Sequence, residues 1–103
     1  MSKRLATLQA LVEKGTDDPF VHYGLAMEYR SLDRIDDALR TFVALRVSHP
    51  DYLAMYLLCG QMLAGEGKRA EALDWLSAGL ELATAKGDGK AKSELSEALA
   101  DLG

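Results

Sequence analysis

Residues 34–45, RIDDALRTFVAL, recur 34 positions later as residues 68–79, KRAEALDWLSAG, and the two segments align without a gap. Arg34 faces Lys68, Asp37 faces Glu71, Ala38 faces Ala72, Leu39 faces Leu73, Phe42 faces Leu76 and Ala44 faces Ala78. Applied backwards, the same offset lays Leu5, Leu8, Ala10 and Leu11 on Leu39, Phe42, Ala44 and Leu45, so half a repeat precedes two whole ones. A period of this length marks an array whose units are each too small to bury an apolar face alone and must stack on a neighbour.

The segments between these copies match as well: Asp17 with Asp51, His22 with Tyr56, Leu25 with Cys59, Ala26 with Gly60, and Tyr29 with Leu63. Each repeat therefore holds two helices. Asp17 and Asp51 are placed to accept from the orphan N–H groups that open the first helix, beside Pro19 and Pro50 at the boundary. The turn between the helices reads SLD in one repeat and GEG in the other. The second version, in GEGKRAEALDWL, is no phosphate loop: Met62 stands where the first glycine belongs, Arg69 where Ser or Thr must follow the lysine, and a helix-like run precedes it. Gly65 and Gly67 instead let the chain reverse, where left-handed backbone angles are often needed. Ala26, Gly60, Ala38 and Ala72 are small where paired helices approach within about 8–10 Å. Tyr29, Phe42, Leu63 and Leu76 fill the volume around them.

Composition agrees and narrows the function. A length of 103 residues suits one domain with a modest core. Ala, Leu, Glu, Lys and Arg dominate over β-branched runs, which favours helix. Twelve Lys and Arg against 16 Asp and Glu leave a net charge of −4, unsuited to a phosphate backbone, so nucleic acid is not an expected partner. The single Cys59 lies in the apolar run YLLCGQML and reads as a small buried side chain in a reducing compartment. MSKRLATLQALVEKG is no signal peptide, because Gln9 and Glu13 break the apolar run while Leu5, Leu8, Leu11 and Val12 keep helical spacing. No stretch reaches the ~20 apolar residues of a membrane span. The expected location is the cytoplasm.

A 34-residue helix-turn-helix unit with these residue classes resembles the tetratricopeptide repeat (TPR) family. The resemblance rests on His22 and Tyr56 early in the first helix, the pairs Leu25-Ala26 and Cys59-Gly60, and Tyr29 or Leu63 one turn on. In the second helix it rests on Ala38 and Ala72, Phe42 and Leu76, and the closing Pro50. Thr84 replaces that proline in the second repeat and Gly79 stands at the place of Leu45, so the last repeat helix is expected to run on to about Lys86. The fold implied is an all-α superhelix of about six antiparallel helices in a single domain, 1–103. Its parts are an N-terminal half-repeat (1–16), two repeats (17–50 and 51–86) and a C-terminal capping helix (87–103). In that last helix Asp88 is the N-cap, Leu95, Leu99 and Leu102 share one face, and Lys92, Glu94, Glu97 and Asp101 lie elsewhere.

The residues capable of chemistry form no constellation. His22 lies on the packing stripe of Leu25 and Tyr29, and His49 sits at a helix end where an imidazole can meet unsatisfied carbonyls. Two histidines 27 residues apart and one cysteine make no zinc site, so neither metal nor cofactor is expected. Asp36 and Asp37 stand among Arg34 and Arg40 as a solvated face, with Asp36 and Arg40 at i,i+4.

One feature exceeds the needs of packing. Beside the core stripe of the first helix runs a second one, Phe20, Tyr23, Gly24, Met27 and Arg30, matched in the second repeat by Ala54, Leu57, Leu58, Gln61 and Ala64. The resemblance implies that this stripe lines a concave groove for a partner's peptide or helix, with Phe20, Tyr23, Met27, Arg30, Leu57, Leu58 and Gln61 as the binding residues. The family's carboxylate clamp is absent, since Tyr23, Met27 and Leu58 stand where its polar residues belong. The expected function is a non-enzymatic protein-binding adaptor or scaffold that takes a helical or extended apolar segment. Two other uses of the stripe stand beside it: a homodimer contact, and added core under a terminal helix.

Overall fold

The structure, a computed structural model, describes residues 2–103. Among them are six helices and no strand: α1 Lys3–Glu13, α2 Pro19–Ser31, α3 Ile35–Ser48, α4 Ala54–Gly65, α5 Arg69–Lys86 and α6 Gly89–Leu102. The all-α class expected from the repeat is the one observed. The chain divides into two compact units, Met1–Tyr52 and Leu53–Gly103.

In the first unit α2 packs against both α1 and α3. Helix α1 starts at Ser2, whose hydroxyl oxygen accepts from Leu5 N at 3.2 Å and whose proton goes to Glu28 Oε1 at 3.0 Å. Arg4 reaches the other oxygen of Glu28, 3.4 Å away, so one carboxylate of α2 holds the start of α1. The cap of α2 is Asp18, accepting from Phe20 N at 2.9 Å with Pro19 in the first turn. The adjacent Asp17, expected to cap, instead meets His49. Leu5, Leu25, Ala26, Ala38, Phe42 and Leu45 are buried. Tyr29 is half-buried: its hydroxyl accepts from Gln9 Nε2 at 2.9 Å, and the Arg34 guanidinium lies 4.8 Å from its ring centre.

In the second unit α5 packs against α4 and α6, and α6 also touches α4. Asp51 is not the N-cap residue of α4, which begins only at Ala54 after the turn that follows Pro50. Leu53 takes the cap position without a side-chain bond. Cys59 is buried, with Met55, Tyr56, Met62, Leu63, Ala72, Trp75, Leu76, Ala83 and Leu95. Helix α5 ends at Lys86, followed by Gly87 at φ +69°, and Asp88 caps α6 by accepting from Ala91 N at 3.0 Å.

The two repeat turns are alike bond for bond. After α2, Asp33 takes φ +59° and Arg34 N donates to Tyr29 O at 2.8 Å; after α4, Gly67 takes φ +75° and Lys68 N donates to Leu63 O at 2.9 Å. Each is a helix end closed by one left-handed residue, with the next amide reaching back five positions to satisfy an orphan carbonyl. The next residue then opens the following helix: Ala38 N donates to Arg34 O and Ala72 N to Lys68 O.

Candidate functional site

The first unit presents the stripe of α2 in graded exposure. Phe20, in the first turn, is 66% exposed, Tyr23 and Met27 are half-buried, and Arg30 is exposed. Tyr23 is seated on an aromatic cluster, its ring 5.4 Å from Tyr52 and 6.5 Å from Phe42, the second edge-on. Burial pushes the Tyr23 phenol above its ordinary value of 10.0, against a smaller opposing effect of Arg30. Tyr52 is raised by burial first and then by Tyr23 and Asp18. Both phenols are therefore neutral hydrogen-bonding tips at pH 7. Gly24, which the spacing places in this stripe, does not belong to it. It is buried, and a Cβ there would sit 3.6 Å from Leu8 Cδ2, so it marks where α1 crosses α2.

In the second unit Leu57 and Leu58 are half-buried and Gln61 is exposed. Helix α6 runs beside this face of α4. Leu57 and Gln61 line a hollow of about 180 Å³ with Glu94, Glu97, Ala98 and Asp101 of α6. An adjoining hollow of about 190 Å³ shares Gln61, Ala98 and Asp101 and continues to Ala64, Leu76 and Leu102. The sequence reading missed the α6 carboxylates as members of this face. Their spacing, 94, 97 and 101 around Ala98, is a helical stripe and was the available signal; nothing local said that α4 stands opposite it.

The histidines take structural places. Nε2–H of His22 donates to Thr16 O at 2.9 Å, which fixes its tautomer. His49 Nε2 bonds Asp17 Oδ1 at 3.2 Å rather than the helix-end carbonyls, while its own backbone N–H serves Leu45 O. The pair walls a cavity of about 50 Å³, room for little more than water. Arg40 pairs with Asp37 at 3.1 Å, not with Asp36, and Arg34 holds the same carboxylate at 2.8 Å. Among the described residues no three His, Cys, Asp or Glu groups stand together as metal ligands, and no helix is long and apolar enough to cross a membrane.

No protein-family model matches the sequence, and no curated protein matches it either. Solved structures do. The chain is similar to a Bordetella parapertussis protein solved in solution, at 29% identity and a TM-score of 0.84, over 99% of this chain and 89% of that one. It is also similar to two tetratricopeptide repeat domain structures from Salinibacter ruber, one in solution and one crystalline. Both are 32% identical over 84% of this chain, with TM-scores of 0.78 and 0.77 and coverage of 87% and 96% of those chains.

Proposed function

Because the chain belongs to the tetratricopeptide repeat family, we propose that it is a non-enzymatic adaptor, holding a helical or extended apolar segment of a partner protein on the stripe of α2 in the first unit, with a like stripe on α4 in the second. The observation that carries the reading is Phe20. A phenylalanine two-thirds exposed heads a stripe whose next members, Tyr23 and Met27, are already held in place by the unit beneath. An exposed aromatic on a preorganised base loses little side-chain freedom on docking, and aromatic, Met and Arg side chains are the types enriched at interfaces. Leu57, Leu58 and Gln61 supply the corresponding surface of α4. The buried Cys59 supports a reducing compartment, and the cytoplasm is the location we assign.

The test is capture from extract with wild type and Phe20→Asp, a substitution too exposed to disturb the core. Partners held by wild type and lost by the variant, at equal helicity and equal solution mass, support the adaptor. A wild-type dimer that becomes a folded monomer supports the homodimer instead. A variant that keeps every partner and its mass overturns the assignment of this stripe.

A further inference from the structure

Two adjoining hollows run along the seam of α4 and α6, and their walls differ in chemistry. At one end Ala64, Leu76 and Leu102 make the lining apolar; at the other Glu94 and Glu97 rise beside Leu57, with Asp101 between the two ends. The three carboxylates are exposed, and none has an ion-pair partner among the described residues. Arg69 is occupied with the backbone oxygens of Leu102 and Gly103, the second at 2.8 Å, and Lys90, one turn before Glu94 on the same face, forms no ion pair with it among the described residues. Glu94, Glu97 and Asp101 stand at i, i+3 and i+7, about 10 Å of helix from first to last. Like charges at this spacing repel and weaken the helix that bears them. Three carboxylates to one lysine on this stripe, beside an apolar trough, thus make a surface whose repulsion a cationic segment would relieve.

We propose that this seam binds a cationic amphipathic segment of a protein partner, a Lys or Arg lying against Glu94 and Glu97 and an apolar side chain one turn away entering the trough of Ala64, Leu76 and Leu102. The proposal rests on the adaptor reading and adds the partner's chemistry and a second face, α6, to it. Charge complementarity selects the occupant: an acidic or neutral segment would set its own polarity against the rim, whereas a basic one gains from every carboxylate.

The test uses three labelled 14-residue peptides, one of Leu and Lys with its leucines on one helical face, one with those leucines replaced by Ser, and one of Leu and Glu, with fluorescence anisotropy at low and high salt. The Leu/Lys peptide should bind best, lose affinity with salt, and lose about tenfold when Glu94→Gln, Glu97→Gln and Asp101→Asn are combined, as exposed ion pairs of ordinary strength imply. Asp36→Asn, Glu71→Gln and Glu81→Gln together remove the same charge elsewhere and should change binding less than twofold. Equal losses in the two triple variants would show attraction to net charge alone and overturn the seam. So would equal binding of the Leu/Glu peptide, or of the Ser/Lys peptide, which would empty the trough of its role. If no peptide binds while Phe20→Asp still abolishes capture from extract, the seam is wrong and the adaptor stands; if capture also ignores Phe20, both readings fall.

Discussion

The two repeats carry the same turn and the same pairing of small with large residues, yet they solve the close approach of helices differently. In the first, Ala26 and Ala38 are both fully buried and Phe42 fills the space beside them; Leu45, further along α3, is buried too. In the second, the counterparts are Gly60, Ala72, Leu76 and Gly79. A Cβ on Gly60 would lie 2.5 Å from Leu76 Cδ2, and one on Gly79 would lie 2.5 Å from Tyr56 Cβ and 3.0 Å from Leu95 Cδ2. The two 2.5 Å approaches are shorter than atoms tolerate, and the third is tight. The second repeat has given up a methyl group at Gly60 so that Leu76 of α5 fits, and a whole side chain at Gly79 because α5 there receives a helix on each side: α4 through Tyr56 and α6 through Leu95. The departure of Gly79 from the repeat pattern is thus a packing requirement, and it costs about 1 kcal/mol of helix propensity relative to alanine.

Exchanging the residues of the two repeats breaks this comparison most strongly. Leu45→Gly should destabilise by about 4–5 kcal/mol in chemical unfolding, from lost burial, a cavity and an interior glycine. Gly79→Leu should cost about 3 kcal/mol by overpacking, and it should loosen α6, seen as faster amide exchange around Leu95. A Gly79→Leu chain as stable as wild type would mean that α6 does not depend on this contact.

Alanine substitutions at two glycines sharpen the distinction. Gly60→Ala should destabilise by about 1–3 kcal/mol, since Leu76 is fully buried and has nowhere to retreat. Gly24→Ala should do the reverse and stabilise by about 0.5–1 kcal/mol, because its new methyl meets Leu8 at ordinary contact distance while helix propensity improves. Melting temperatures that move in the same direction for these two would refute the assignment of α2's Gly24 as a spare position. At the turns, Gly67→Asp should cost about 0.5–1 kcal/mol and Asp33→Gly should gain a few tenths, as expected where a left-handed residue closes the helix.

The smallest effect is one of pH and belongs to the first unit alone. The phenols of Tyr23 and Tyr52 hold their protons more tightly folded than unfolded. Their contribution is fully present below the ordinary value of 10.0 and is lost as pH rises through the folded values, because the unfolded chain releases these protons first. Wild type should lose stability above about pH 10 more steeply than a Tyr23→Phe, Tyr52→Phe chain. Identical slopes would place both hydroxyls in open water.

The repeat offset determined the helix pairs, the turns through SLD and GEG and the small residues Ala38 and Ala72, while departures from it and local cap chemistry determined the run of α5 to Lys86 and the cap at Asp88. These are local in origin: they depend on side-chain period, on one left-handed residue and on caps that reach two or three residues along the chain. What lay outside such reach was settled by tertiary packing. Asp17 meets His49 rather than capping α2, Gly24 faces Leu8 rather than a groove, Gly79 admits Tyr56 and Leu95 together, and Glu94, Glu97 and Asp101 border a trough. Periodicity tells which residues share a helical face but not which neighbour that face meets, since the same polar stripe is written whether water or another helix stands across from it.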